Sequence, residues 1–352
     1  MKSWENNIRK VVPYVPGEQP KQSGIIKLNT NENPYPPAPG VEAVNRAFSA
    51  DILRRYPDPT AADLVKALAE YYGVKPEQIF TGVGSDDVLA MSFLTFFHSD
   101  RPIFFPDITY SFYDVWADLF QIPYEVKPLD ETFHMNPRDY DAPNGGVIFP
   151  NPNAPTSIYE NREVIEDILQ HNQDVIVIVD EAYVDFAKKG SMQTLLDTYE
   201  NLLIVQTFSK SRSMAGMRIG FAIGSPKLIQ YLNDVKYSFN SYTMSHHALC
   251  LGVAAVSDDA YFKNTVKKIV DTREWFKREL AALEFIFPDS QANFLFVSHK
   301  TKPAREIFDA LKARGIYVRY FDKPRIDNYL RITIGTQEEM EKLLKALREI
   351  VA

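Results

Sequence analysis

From about residue 60 onward the chain alternates two hydrophobic patterns. AADLVKALAEYYG (61–73) repeats apolar positions at helical spacing and stops on Gly73, a natural helix terminator. SDDVLAMSFLTFF (85–97) reads as a second helix with Ser85 or Asp86 as its N-cap, and SFYDVWADLF (111–120) and NREVIEDILQHN (161–172) as two more. Between and after them stand short apolar runs: QIFTGV (78–83), RPIFFP (101–106), PYEVKPL (123–129), GGVIFP (145–150), VIVIVDEA (175–182), LLIVQTF (202–208) and RIGFAIG (218–224). Several of these are apolar throughout, as strands buried on both faces are. Strands alternating with helices predict a mostly parallel sheet covered by helices.

The two ends of the chain depart from that rhythm. Residues 1–40 hold Pro13, Pro16, Pro20, Pro34, Pro36, Pro37 and Pro39 with little helical period, which predicts an extended arm lying over the rest of the chain or over a second subunit. KLIQYLNDVKYSF, HHALCLGVAAVS and YFKNTVKKIVDTREWFKRELAAL (227–283) predict a long helical stretch. Strand FLFVS (294–298), helix PAREIFDALKARG (303–315), strands IYVRYF (316–321) and LRITIG (330–335) and helix EEMEKLLKALREIV (338–351) follow. The fold class expected is α/β. It comprises an arm (1–40), a large domain with a mostly parallel sheet covered by helices (41–255), and a small α+β C-terminal domain (256–352).

Composition narrows the function classes. The chain has 352 residues, 45% of them apolar and 24% charged, which is ordinary for a globular protein with a sizeable core. Its single cysteine, Cys250, cannot close an intrachain disulfide. A net charge of −7, with basic clusters no longer than Lys188-Lys189 and Lys267-Lys268, argues against nucleic acid as a partner. Apolar runs such as VIVIV fall far short of the ~20 residues of a membrane span, and MKSWENNIRK lacks the apolar core of a leader peptide. A cytoplasmic protein is expected. No metal site is expected. The six histidines are scattered, and the adjacent pair His246-His247 would point about 100° apart on a helix. No GxSxG nucleophile elbow occurs.

In open α/β sheets, ligands gather at the carboxyl ends of strands, so candidate chemistry is sought there. After QIFTGV comes Gly82-x-Gly84-Ser85-Asp86-Asp87. This is either an ordinary turn or an anion cradle at a helix start, and Asp87 stands where a dinucleotide fingerprint would need its third glycine. After GGVIFP, Asn151-Pro152-Asn153-Ala154-Pro155-Thr156 reads as a plain rigid turn. Asp180 closes an apolar strand and is followed by Glu181-Ala182-Tyr183. A carboxylate there is either capped or ion-paired, or it awaits a protonated ring nitrogen. After LLIVQTF come Ser209 and Lys210, then Arg212 and Arg218. A lysine at such a strand end can serve as an amine nucleophile toward a carbonyl, and a hydroxyl with a guanidinium suits a phosphate. Each feature alone is ordinary. Together, an amine for an aldehyde, a carboxylate for a ring nitrogen and a phosphate cradle describe pyridoxal 5′-phosphate.

The chain also resembles the aspartate-aminotransferase superfamily of fold-type I pyridoxal-phosphate enzymes and, within it, the class II histidinol-phosphate aminotransferase family. The resemblance runs from about Val12 to the C-terminus. Its segments are PYVPGE (13–18), LNTNENPYPP (28–37), RYPDP (55–59), TGVGSDD (81–87), ITYSFY (108–113), NPNAPT (151–156), DEAYVDF (180–186), TFSKSRSMAGMRIGF (207–221) and YLRITIGT (329–336). The lysine segment and DEAY are specific for the superfamily; LNxNENP, RYPDP and DEAYVDF narrow it to the histidinol-phosphate group.

The resemblance implies a role for each matching residue. Lys210 would hold the cofactor covalently, Asp180 would pair with the ring nitrogen, and Tyr183 would bond the ring hydroxyl. Ser209, Arg218 and Gly84-Ser85-Asp86 would hold the phosphate, and Tyr110 would stack on the ring. Tyr56 would reach the neighbouring subunit's cofactor phosphate, making a homodimer part of the site. Arg331 would bind the donor's carboxylate or the phosphate of histidinol phosphate, with Arg319 as a second phosphate arginine. Tyr14 and the Asn31-Glu32-Asn33 run would close over the substrate. The sequence departs from the family at Ala154, where relatives usually carry an Asn that bonds the ring hydroxyl, and at Ser157, where they carry Gly. Asn153 or Asn151 would compensate, or Tyr183 would act alone. Arg212 is expected as a solvated surface arginine, with a third phosphate contact as the alternative.

The activity implied is transamination between L-glutamate and imidazole acetol phosphate, giving L-histidinol phosphate and 2-oxoglutarate. Three alternatives share the apparatus or the fold. An aromatic or broad-specificity aminotransferase would use the same residues. A decarboxylase of a phosphorylated amino acid would release carbon dioxide. A non-catalytic effector-binding module would carry a fused DNA-binding domain or lack the lysine, and Lys210 is present.

Overall fold

The computed structural model describes residues 3–15 and 17–352; Pro16 of the proline-rich arm lies outside the described residues, as do Met1 and Lys2. Seven strands form the large sheet, in the spatial order Ile79–Gly82, Gly220–Gly224, Leu202–Thr207, Val177–Asp180, Val147–Pro150, Ile103–Pro106, Tyr124–Lys127. All run parallel except Gly220–Gly224, which is antiparallel to both its neighbours. The all-apolar strands follow from their surroundings. Ile178, Leu203 and Val205 point into one core, and Val177, Val179 and Ile204 into another on the opposite face. With helices on both faces, neither set of alternate positions meets water.

Helix ends follow local chemistry. The helix Ala62–Tyr72 stops at Gly73, which adopts the left-handed conformation at φ 68°. The helix Ser85–Phe96 differs from expectation. Its N-cap is Gly84 at φ 85°, neither Ser85 nor Asp86, and no side chain caps it. The first-turn N–H groups of Ser85 and Asp86 are therefore left without an intrahelical acceptor. The long helical stretch also resolves differently, into Pro226–Phe239, His246–Ser257 and Asp259–Ala282. Ser225, Ser245 and Asp258 each cap the helix that follows by accepting from a backbone N–H.

A second, antiparallel sheet has the order Arg319–Tyr320, Leu330–Thr333, Phe294–His299, Phe285–Ile286. It packs with the helices Asp259–Ala282 and Gln337–Val351 around Phe276, Leu280, Leu295, Ile332 and Leu343. The predicted strand 316–321 splits in two. Arg319–Tyr320 joins this sheet, while Ile316–Tyr317 pairs in parallel with Ile26–Lys27 from the arm. The arm is thereby tied to this smaller lobe and runs on from it, through residues 28–33, to the end of the large sheet. Its upstream part lies on the large lobe, where Arg9 donates to the Leu119 carbonyl (2.6 Å) and Tyr14 stacks on Phe112.

Candidate active site

Two cavities meet at the carboxyl end of the large sheet, sharing Tyr110 and Ala154 in their walls. The first, about 160 Å³, is lined by Asp180, Tyr183, Ser209, Lys210 and Arg218 among others. The second, about 340 Å³, is lined by Tyr14, Arg319, Phe321, Arg325 and Arg331 among others.

The sheet order explains the first cavity. Asp180 and Lys210 follow adjacent parallel strands, so their side chains reach the same end. The Lys210 amine donates to the Thr30 carbonyl (3.3 Å) and stands 5.7 Å from the Tyr183 ring centre. Asp180 is buried with no cationic side chain on its carboxylate among the described residues; it accepts from the Ala182 N–H (3.1 Å) and the Tyr113 hydroxyl (3.1 Å). Burial pushes its pKa up to about 6, with those two donors and Lys210 opposing the rise and Asp86 adding to it. A cation brought to this carboxylate would oppose that rise and hold it ionised.

In the same cavity wall, Arg218 donates to the Ser209 hydroxyl (3.3 Å) and to Asp86 (3.1 Å), and the Thr207 hydroxyl donates to Ser209 (3.0 Å). A Cβ on Gly84 would come within 2.5 Å of the Arg218 guanidinium, and one on Gly220 within 2.3 Å of the Ser85 nitrogen. Glycine at both positions lets the loop, the arginine and the helix start converge on one spot. The Asp86 carboxylate holds Arg218 and accepts from the Tyr110 hydroxyl (2.7 Å). It orients the cradle, while an anion would be met by the backbone N–H groups of Ser85 and Asp86.

These features fit pyridoxal phosphate in size and chemistry. An amine, a buried carboxylate lacking a cationic partner among the described residues and an anion cradle line one cavity, matching the cofactor's aldehyde, ring nitrogen and phosphate.

The second cavity is built from the smaller lobe. Arg319 and Arg331 are direct cross-strand partners in the antiparallel sheet. Like charges placed so repel, and neither makes an ion pair among the described residues. Arg331 donates to the Asn29 carbonyl (3.2 Å) and keeps a buried Nε without a partner. Arg325, by contrast, is committed. It donates to Asp107 (2.7 Å) and to the carbonyls of Leu129 and Asp130, closing one edge between the lobes.

Some sequence expectations are displaced. Asn31 does not face the substrate cavity; it is 1% exposed and lies behind Tyr183, while its neighbours Thr30 and Glu32 line the first cavity. Asn153 and Asn151 do not line the first cavity, where Ala154 lies. The Asn153 amide nitrogen is held by the Ile108 carbonyl and Thr156, and that of Asn151 by the Glu160 carbonyl. Arg212 is neither solvated nor a phosphate contact. It is buried between the Phe262 and Tyr71 rings (4.2 and 4.7 Å) and donates to the Ala255 carbonyl. Tyr56 is 79% exposed, packs at a tilt on Tyr242 and does not line either cavity.

One contributor escaped the sequence reading, and another has a different part from the one expected. Tyr113 was indistinguishable from a core residue of its helix, since it is buried to the ring and only its hydroxyl reaches Asp180. Asn33 donates to the carbonyls of Lys210 (3.0 Å) and Ser211 (3.1 Å), bracing the lysine's backbone from the arm. A polar residue three positions after Tyr110, and the repeated Asn of the 29–33 segment, were the available signals.

A family model described as aminotransferase class I and II matches residues 23–347. The chain is 50% identical over 352 residues to the histidinol-phosphate aminotransferase of Clostridium beijerinckii, covering 100% of this chain and 98% of that protein. It is 49% identical to that of Lactococcus lactis subsp. lactis, covering 98% and 96%. Among solved structures, the fold is similar to histidinol-phosphate aminotransferase from Sinorhizobium meliloti in complex with pyridoxal 5′-phosphate. The TM-score is 0.83 at 26% identity, over 93% of this chain and 90% of that one. A decarboxylase from Sulfurospirillum multivorans shares the fold at a TM-score of 0.76 and 24% identity, over 93% and 95%.

Proposed function

The chain belongs to the aminotransferase class I and II family, and on that premise we propose that it exchanges an amino group between L-glutamate and imidazole acetol phosphate, giving L-histidinol phosphate and 2-oxoglutarate with pyridoxal phosphate as cofactor. Full-length identity to histidinol-phosphate aminotransferases supports the reaction. The observation that carries the substrate class is the Arg319–Arg331 pair, two cross-strand cations that make no ion pair among the described residues, in the cavity that adjoins the one lined by Lys210. A guanidinium fork suits a carboxylate and a phosphate alike, so one pair serves glutamate and a phosphate ester in turn.

When bound, pyridoxal phosphate supplies an aldehyde that takes the amino group and a ring that accepts the electron pair left at the donor's Cα. Lys210 would hold the aldehyde at rest; once displaced, its amine would be the base that takes the Cα proton and the acid that delivers it to the carbon that was the aldehyde's. Asp180 holds a positive charge against the sheet, and Tyr113 with the Ala182 N–H favours its ionised form. Arg218, Ser209 and the first-turn N–H groups of Ser85 and Asp86 bind the phosphate. Tyr110 covers the ring, and Tyr14 closes the substrate side. Lining by Tyr14, Tyr110 and Phe321 would also receive a phenyl ring, which keeps aromatic transamination as the second reading.

A cytoplasmic homodimer in histidine biosynthesis belongs to the same reading. Exposed Leu53, Tyr56, Phe239 and Tyr242 support the dimer, with Tyr56 reaching the partner's phosphate cradle.

The test is a half-reaction. Histidinol phosphate added alone to the cofactor-loaded protein should rapidly bleach its visible absorbance, while phenylalanine at equal concentration should act at least about tenfold more slowly, the effect of ~1.4 kcal/mol of differential binding. Bleaching by phenylalanine alone would move the function to aromatic amino acids.

A further inference from the structure

On the pyridoxal-phosphate reading, the side-chain donor assigned to the cofactor's ring hydroxyl is the Tyr183 phenol, which lines the first cavity beside Ala154. Ala154 supplies none, and Asn151 and Asn153 are committed elsewhere. Whether Tyr183 can donate depends on what else takes its hydrogen. Its one recorded side-chain partner is Asn31, whose amide nitrogen donates to the Tyr183 oxygen at 3.0 Å.

Asn31 is unusually constrained. It sits at φ 57°, a left-handed conformation that few non-glycine residues adopt. Its backbone N–H donates to the Thr333 hydroxyl (3.0 Å), that hydroxyl donates back to the Asn31 amide oxygen (3.1 Å), and its carbonyl accepts from Asn293 (3.0 Å). The buried Thr333 hydroxyl has one hydrogen, and Oδ1 is the one acceptor within reach of it among the described residues. That fixes the amide with its oxygen toward Thr333 and its NH2 toward Tyr183. A flipped amide would present its oxygen to Tyr183 and capture the phenolic hydrogen. In the observed orientation Tyr183 receives a hydrogen from Asn31 and keeps its own for an acceptor in the cavity.

We propose that Asn31, oriented by Thr333, is a positioning residue that makes Tyr183 the hydrogen-bond donor to the cofactor's ring oxygen, in place of the amide absent at Ala154. The inference rests on the reading of the Lys210 cavity as a pyridoxal-phosphate site. Thr333 shares its strand and its face with Arg331, so one strand sets both the substrate anion site and the Tyr183 donor.

The expected signature is spectroscopic. A donor to the ring oxygen stabilises its negative charge, which otherwise holds the proton on the nitrogen joining Lys210 to the cofactor. Losing the donor should therefore raise the midpoint pH of the visible band. Tyr183→Phe is expected to raise it by about one unit, and Asn31→Gly and Thr333→Val by roughly half a unit. Glycine tolerates the positive φ, so Asn31→Gly removes the amide without backbone strain. Thr333→Ser keeps the hydroxyl and should titrate as the parent protein does. Added to Tyr183→Phe, neither Asn31→Gly nor Thr333→Val should shift the midpoint further, because both act through that phenol. Unmoved midpoints in both single variants, or equal shifts with and without Tyr183, would overturn the proposal. A parent protein without a visible band, or a band that survives Lys210→Ala, would overturn the cofactor reading and the proposal with it.

Discussion

The two cavities carry opposite, uncompensated charges, and they carry them differently. At the end of the large sheet, Asp180 is an anion without a cation. It is fully buried, held by two donors of its own lobe, and ordered by a helix that packs into the core through Tyr113. On the smaller lobe, Arg319 and Arg331 are cations without an anion. They are half-buried, held by one backbone carbonyl between them, and left with donor capacity to spare. The first arrangement suits a group that stays, since its acceptor geometry is fixed before binding. The second suits groups that come and go and differ in shape, since a pair of forks can accept a carboxylate or a phosphate. Preorganisation lies where the ligand is constant and adaptability where it alternates.

That contrast predicts a clean separation of effects. Arg331→Ala removes the cation on the adaptable side. It should raise KM about a hundredfold for both the amino donor and the phosphorylated partner, as loss of a charge-assisted contact does, and leave the cofactor's dissociation constant unchanged. Steady-state kinetics and a cofactor titration on the same preparation check both halves. If cofactor affinity fell in parallel, the two sites would not be separable. Tyr113→Phe acts on the fixed side. With one donor fewer the Asp180 carboxyl should rise further above its ordinary range, and the cofactor should bind about tenfold more weakly with substrate KM unmoved; equilibrium dialysis of the cofactor reads this directly.

The smallest effect tests whether the fixed side costs stability. Beside Asp180, the buried Glu181 accepts from Ser191, the Met192 N–H and Gln206, yet burial still pushes its pKa up to about 7. A carboxyl raised in the folded state binds more protons there than in the unfolded chain. Stability from it is therefore present below about pH 4.5 and lost as pH rises through 7. The cofactor-free protein should be less stable at pH 8 than at pH 5.5, and Glu181→Gln should flatten that slope. Urea midpoints across the range, for parent and variant, decide it; parallel slopes would remove Glu181 as the source.

Much of this organisation was legible in the sequence for identifiable reasons. Apolar runs with acids or lysine at their ends marked both the strands and the mouth of the site, because a buried strand can turn polar only where it leaves the core. Gly73 was read correctly for the same local reason. What stayed hidden depends on contacts distant in sequence. Asn31 reads as a polar loop residue; only its pairing with Thr333, 302 positions away, makes it buried and committed. Arg212 reads as surface because charge usually means water, whereas here three aromatic rings surround the guanidinium. Gly84 displaced the expected Ser85 cap because a positive φ can turn a chain into a helix without any side chain.

The unpaired arginines have a consequence at the bench and in the cell. A standing cation pair is a sink for any small anion, so inorganic phosphate or sulfate competes with substrate for the same forks. Apparent affinity then falls by the factor one plus the anion's concentration over its own dissociation constant, while the folded protein is stabilised by the same occupancy. Assays in phosphate buffer would report a weaker and sturdier enzyme than assays in an amine buffer at matched ionic strength, and the phosphate pool of its surroundings would throttle its throughput.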